Sequence, residues 1–141
     1  MLPEKRITDF IRRHHVLTLA TATADGLPYC AACFYAYDKE RNVIVFTSDD
    51  NTCHAQQMAL NSHVACAINL ETRVVGKIQG IQNCGTARKG TDRDREVYVK
   101  RFPYTAVAPL NISVIEPHFM KLTDNMLGFG KKLIWNREAS E

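Results

Sequence analysis

The chain has 141 residues, the size of one ordinary domain, and 45% of them are hydrophobic, which excludes a disordered chain and allows a core without covalent staples. Eighteen lysines and arginines against fifteen acids give a formal charge of +3, compatible with a phosphate-bearing ligand but too small and too dispersed to favour nucleic acid. No apolar run approaches the ~18 residues that a membrane span needs, and residues 1–13 lack the apolar stretch of a signal peptide. The five cysteines are therefore expected as reduced thiols in the cytoplasm.

In chain order, Pro3 suits a first helical position, and Ile7, Phe10 and Ile11 share one face of a short helix over residues 3–14. A strand over 16–23, the turn Asp25-Gly26 and a strand over 29–37 form a hairpin. The second strand carries small or apolar residues on both faces: Tyr29, Ala31, Cys33, Tyr35 and Tyr37 on one, Cys30, Ala32, Phe34 and Ala36 on the other. Such a strand belongs in a barrel wall under a helix or at a subunit interface. Residues 43–47 form a third buried strand. A polar loop then leads to Thr52, which caps a helix running to about Asn61, with Ala55, Met58 and Ala59 on one face.

Strands four and five cover 64–70 and 78–88. Gly80 and Gly85 inside the latter mark a bulge or a close approach. A helix over 92–102 is stopped by Pro103, and a sixth strand over 111–123 contains Pro117, which fits an edge or a bulge. The tail, residues 124–135, carries two glycines and two lysines and receives no assignment. The order α-β-β-β-α-β-β-α-β excludes a doubly wound parallel sheet and predicts a single mainly β domain, residues 1–141: a small antiparallel barrel with peripheral helices.

The spacing Cys30-Ala-Ala-Cys33 invites a redox or zinc reading. Residues three apart on a strand point to opposite faces, however, and no second ligand pair sits at motif spacing, so both cysteines are read as small buried core residues and no metal is expected. His14-His15, His63 and His118 are read as structural or surface groups. No catalytic acid, base or nucleophile is identified. The segment Phe46-Thr-Ser-Asp-Asp-Asn-Thr-Cys-His-Ala55 is more informative. It takes the chain from a buried strand into a helix N-terminus, where exposed N–H groups favour an anion. Thr47, Ser48 and Thr52 add hydroxyls and His54 a switchable charge, while Asp49 and Asp50 oppose it. An ordinary capped helix explains the same residues.

This order of elements resembles the pyridoxamine-phosphate-oxidase-like, FMN-binding split-barrel superfamily, to which Phe46, Thr47, Thr52, His54, Ala55 and the segment Gly85-Thr-Ala87 correspond. Within it, Thr52-Cys-His-Ala-Gln56, Arg101-Phe-Pro103 and Thr123-Asp-Asn-Met-Leu-Gly-Phe-Gly-Lys-Lys-Leu-Ile-Trp135 resemble a small bacterial group, the YhbP-like proteins. The resemblance implies an antiparallel split β-barrel, a homodimer, and FMN held between subunits as a small-molecule ligand. Thr47, Ser48, Thr52 and His54 would hold the phosphate, and Gln79 or Gln82 would meet the polar edge of the ring. Lys131, Lys132 and Trp135 would approach from the tail, where Gly128 and Gly130 allow close contact. The sequence departs from the oxidases in two places: Cys53 and His54 replace their basic pair, and residues 29–37 lack their arginine. Three functions stay open: a flavin-dependent oxidoreductase acting on a small substrate, a non-catalytic flavin or haem binder, and a dimer with a degenerate, empty site.

Overall fold

A computed structural model describes residues 1–128 and 131–140; Gly130, singled out above, lies outside the described residues. The elements are α1 (Lys5–Arg13), β1 (Val16–Ala22), β2 (Pro28–Asp38), β3 (Val43–Thr47), α2 (Cys53–Leu60), β4 (His63–Asn69), β5 (Gln79–Lys89), α3 (Asp92–Arg101), β6 (Ile112–Asp124), β7 (Lys132–Asn136) and α4 (Arg137–Ser140). Every strand pairing is antiparallel, in the order β3-β2-β1-β4-β5-β6-β7, and β6 also pairs with β3. Six strands thus close into the predicted barrel. The unassigned tail supplies a seventh strand, and a short 3-10 helix at Val75–Lys77 fills the stretch before β5. None of the described helices is long and apolar enough to cross a membrane.

The closure depends on β6. Residues 112–115 pair with β3 and residues 119–123 with β7, while β5 runs along the other edge. Between the two halves lies the bulge that Pro117 anticipates: Gly85 faces Pro117 and Cys84 faces Phe119, which leaves His118 as the extra residue. Glycine is required at 85, because a Cβ there would stand 2.5 Å from the Glu116 carbonyl oxygen.

The barrel is filled as its alternation dictates. Leu17, Leu19, Cys33, Tyr35, Ile44, Phe46, Cys66, Ile68 and Ile81 point inward, and Ile7, Phe10 and Ile11 of α1 plug the interior. Tyr35 donates to the Ile11 carbonyl at 2.5 Å, tying plug to wall. Arg101 holds the end of α1 from outside: one guanidinium nitrogen donates to the Arg12 and His14 carbonyls at 3.0 and 2.6 Å, and the group lies over the Tyr35 ring. A second cluster, Ala36, Val43, Val45, Val114 and Ile112, lies outside the barrel under Tyr98 and Phe102 of α3.

Two readings of β2 need correction. Only its second half is covered on both sides. Cys33 is buried, but Cys30 is exposed, because α3 crosses the later residues and leaves the outer face of the first half open.

The buried ionic centre is Asp94, whose side chain is 0% exposed. It accepts from the Thr91 backbone N–H at 2.8 Å and from Arg88 Nη1 at 2.8 Å, and pairs with Arg41 Nη2 at 2.7 Å. Burial pushes its carboxyl up, but Arg88, the Thr91 amide and Arg41 together outweigh that and hold it well below the usual carboxylate range. A depressed folded-state value gives a contribution that is complete above the ordinary value of 3.8 and is lost as pH falls below it. Asp94→Asn should therefore cost about 3 kcal/mol at neutral pH and flatten the acid loss of stability below pH 4. Urea titrations at a series of pH values check this, and equal acid sensitivity in both proteins would rule it out.

Candidate functional site

The predicted anion loop is assembled where the ends of β3 and β5 meet the start of α2. Because Thr47 pairs with Ile112 and Lys89 with Ser113, β6 holds the last residues of β3 and β5 at one mouth of the barrel. Thr47 is half-buried at the end of β3. Ser48 is buried, with its N–H donating to the Asn111 carbonyl at 3.1 Å. Thr52 caps α2 by accepting from the Ala55 N–H at 3.3 Å, while its own hydroxyl donates to the Asp49 carbonyl at 2.8 Å. His54 folds back over this turn, its Nε2 3.0 Å from Ser48 Oγ and 3.4 Å from Thr52 Oγ1. Burial pushes its pKa down, favouring the neutral ring.

Thr47, Ser48, Thr52 and His54 are thus brought together. The other four predicted contacts are not. Gln79 opens β5 opposite Asp124, and Lys132 pairs with Thr123, so both lie beyond the far end of β6. Eleven strand residues separate that end from Ser113, roughly 35 Å at about 3.3 Å per residue. Lys131 and Lys132 are exposed. Trp135 is buried in the core, with Nε1 donating to the Met1 carbonyl at 3.1 Å and Arg137 over its ring. Gln82 is exposed on the outer face of β5.

Sequence reasoning missed the cations at the mouth, Arg88 and Lys89. They line a pocket with Ser48, Asp50, Ala55 and Ser113. The available signal was that they directly follow Gly85-Thr-Ala87. Arg88 is committed to Asp94 and, through Nε, to Glu116 at 3.2 Å. Lys89 reaches Asp50 at 3.3 Å. Cys53, at one of the positions where the oxidases are basic, is exposed, and its sulfur accepts from Gln57 Nε2 at 3.4 Å.

The closed antiparallel barrel, with its polar loop capped onto a helix at one mouth, defines the split-barrel class. The profile of the pyridoxamine 5'-phosphate oxidase family matches residues 3–122. A UPF0306 protein of Klebsiella pneumoniae is 37% identical over 134 residues, covering 92% of this chain and 90% of that protein. The UPF0306 protein YhbP of Salmonella arizonae is 35% identical over 138 residues, covering 95% and 93%. The chain therefore belongs to the pyridoxamine 5'-phosphate oxidase family, in its UPF0306 (YhbP) group. Its fold is also similar to that of a heme binding protein from Mycobacterium smegmatis, with a TM-score of 0.75, 16% identity, and coverage of 99% of this chain and 60% of that one.

The local geometry makes the Thr52 cap essential to this site, because no residue of α2 is fully buried and packing alone holds the helix weakly. Thr52→Ala should lower stability by about 1 kcal/mol while Thr52→Ser retains most of it. Urea midpoints for the three proteins make the comparison.

Proposed function

We propose that the chain binds flavin mononucleotide as a cytoplasmic homodimer, with the phosphate at the Ser48–Thr52–His54 turn. The observation that carries this reading is the convergence of two hydroxyls and an imidazole within 3.4 Å, at a helix N-terminus, in a chain of this family. Ser48 and His54 can turn a donor toward a phosphate ester, and Thr52 can do so by releasing the Asp49 carbonyl. When bound, the flavin would supply hydride chemistry toward a small substrate, and the chain would supply position and electrostatics.

Two features support the dimer. First, Gln79 and Lys132 lie at the far end of one protomer, so if they are ligand contacts as expected they reach the turn only from a partner. Second, the open outer face of β2-β1-β4-β5 is uncharged. The registers place Cys30, Ala20, Ala65 and Cys84 in one row and Ala32, Thr18, Ala67 and Gln82 in the next. Val16 and Phe34, 46% and 56% exposed, extend the face. Such a surface suits burial against a copy of itself.

Adding purified protein to FMN should quench flavin fluorescence; absence of quenching at tens of micromolar protein would reject the flavin assignment. The absorbance spectrum of the protein as isolated separates the remaining reading, since a haem band in place of flavin bands would favour a haem binder. Anion binding favours the protonated ring, so His54 should make FMN affinity rise as pH falls from 7.5 to 6. His54→Gln should weaken binding and flatten that pH dependence, and an unchanged profile would move the phosphate elsewhere. Ala65→Lys places an ammonium in the middle of the uncharged face and should yield monomers by sedimentation; a variant still dimeric would exclude this face as the interface.

A further inference from the structure

Resting on the flavin reading above, we propose that Lys89 is the cation that neutralises the ligand phosphate and that Asp50 competes with the phosphate for it. In the free protein the turn offers the Ser48 and Thr52 hydroxyls and a His54 ring whose charge burial disfavours, and it carries two carboxylates, Asp49 and Asp50. A phosphate monoester brings close to two negative charges at neutral pH. A positive group would offset them, and the turn from Thr47 to Ala55 carries no lysine or arginine.

Within one protomer the strand registers decide which cation can respond. Only the end of β5 is held beside the end of β3 by β6, and that end carries Arg88 and Lys89. Arg88 is spoken for: it is the partner of a fully buried carboxylate, Asp94, and turning it outward would leave that charge uncompensated. Lys89 is different. Among the described residues its ammonium meets only Asp50, at 3.3 Å, and the two side chains are 81% and 70% exposed. An exposed pair of this kind holds weakly and is screened by salt. Lysine's flexible stem lets the ammonium move from a carboxylate to a neighbouring phosphate without disturbing the backbone. Lys89 and Asp50 line the same pocket as Ser48 and Ala55, and His54 meets the Ser48 hydroxyl at 3.0 Å, so the exchange takes place beside the turn. Asp50 acts in two ways: it holds Lys89 in the free protein, and it repels the arriving phosphate.

The test compares FMN with riboflavin, which has the same ring and no phosphate, by fluorescence quenching. For Lys89→Gln, FMN affinity should fall about tenfold and riboflavin affinity should stay unchanged. Asp50→Asn should tighten FMN several-fold and leave riboflavin alone. Added salt should weaken FMN binding to the wild type more than to Lys89→Gln. Equal affinities of wild type and Lys89→Gln for FMN, or equal losses for both flavins, would overturn the assignment. A second arm uses inorganic phosphate and follows thermal unfolding, so that Lys89 is tested even if FMN is not the ligand. Phosphate should raise the melting temperature of the wild type beyond its effect on Lys89→Gln. A wild type that fails to bind FMN but shows this difference rejects the flavin reading and upholds the cation; identical phosphate responses overturn the cation.

Discussion

A single strand edge shared between two partners organises this molecule. β6 has thirteen residues, and the strands facing its outer edge, β3 and β7, have five each. The bulge occupies the gap between them. Pro117 stands there, and proline suits a position between two ladders because it has no N–H to leave unpaired. Its carbonyl still needs a donor, and Arg137 supplies two nitrogens, at 2.9 and 2.7 Å. The same guanidinium lies over the Trp135 ring, so one residue of the tail satisfies the bulge and covers the buried aromatic beside it. Without the shared edge the barrel would stay open, and the ends of β3 and β5 would not be neighbours.

The charges at that mouth fall into two kinds with different physics. Those around Asp94 are fixed. Arg41 comes from the β2–β3 turn, Arg88 from β5 and the Thr91 amide from the start of α3, and all three meet one carboxylate that water does not reach. Removing any partner leaves an uncompensated buried charge, so the network behaves as a rivet across three segments. Those at the phosphate turn are loose: Asp49 and Asp50 sit on a loop, Lys89 is solvated, and the neutral His54 ring is tied to its neighbours only by hydrogen bonds. A rigid frame beside adjustable charges is compatible with the proposed anionic ligand, because the frame would set the geometry and the loose groups could adapt to the charge.

Much of the fold was legible because its signals are local. Ile7, Phe10 and Ile11 announce the buried face of α1, Asp25-Gly26 the hairpin, and Thr52 its cap. Pro117 could not sit in an unbroken central strand. The clustering of Thr47, Ser48, Thr52 and His54 was legible for the same reason, as they lie within one short stretch. What escaped was non-local. Asp94 reads as an ordinary capping residue in the first turn of a helix, since nothing in the sequence shows that Arg41 and Arg88 converge on it. Trp135 reads as a ligand contact although a lone tryptophan is more often core, and the pairing of β7 with β6 places it inside. β7 itself is short and follows a glycine-rich stretch, so its period is too brief to register. Cys30 looked like core because α3 covers β2 only from about Ala36 onward, a boundary that composition does not mark.

The uncharged face also constrains how the proposed dimer would be arranged. In a twofold pair the same patch meets itself, so the axis passes through the patch. The residues near its middle, Ala20, Ala65 and Ala67, are the smallest available with a side chain, which lets two sheets approach closely. Gln79 and Lys132 lie at one end of β5 and β6, while Ser48 and Lys89 lie at the other. A twofold axis that crosses the strands would exchange the ends, so the Gln79 end of each protomer would approach the Ser48 end of its partner, whereas an axis along the strands would keep like ends together. In the first arrangement two equivalent sites would result, each completed by the other chain. The length of β6, which separates the two groups within one protomer, would then be what lets them meet across the proposed pair.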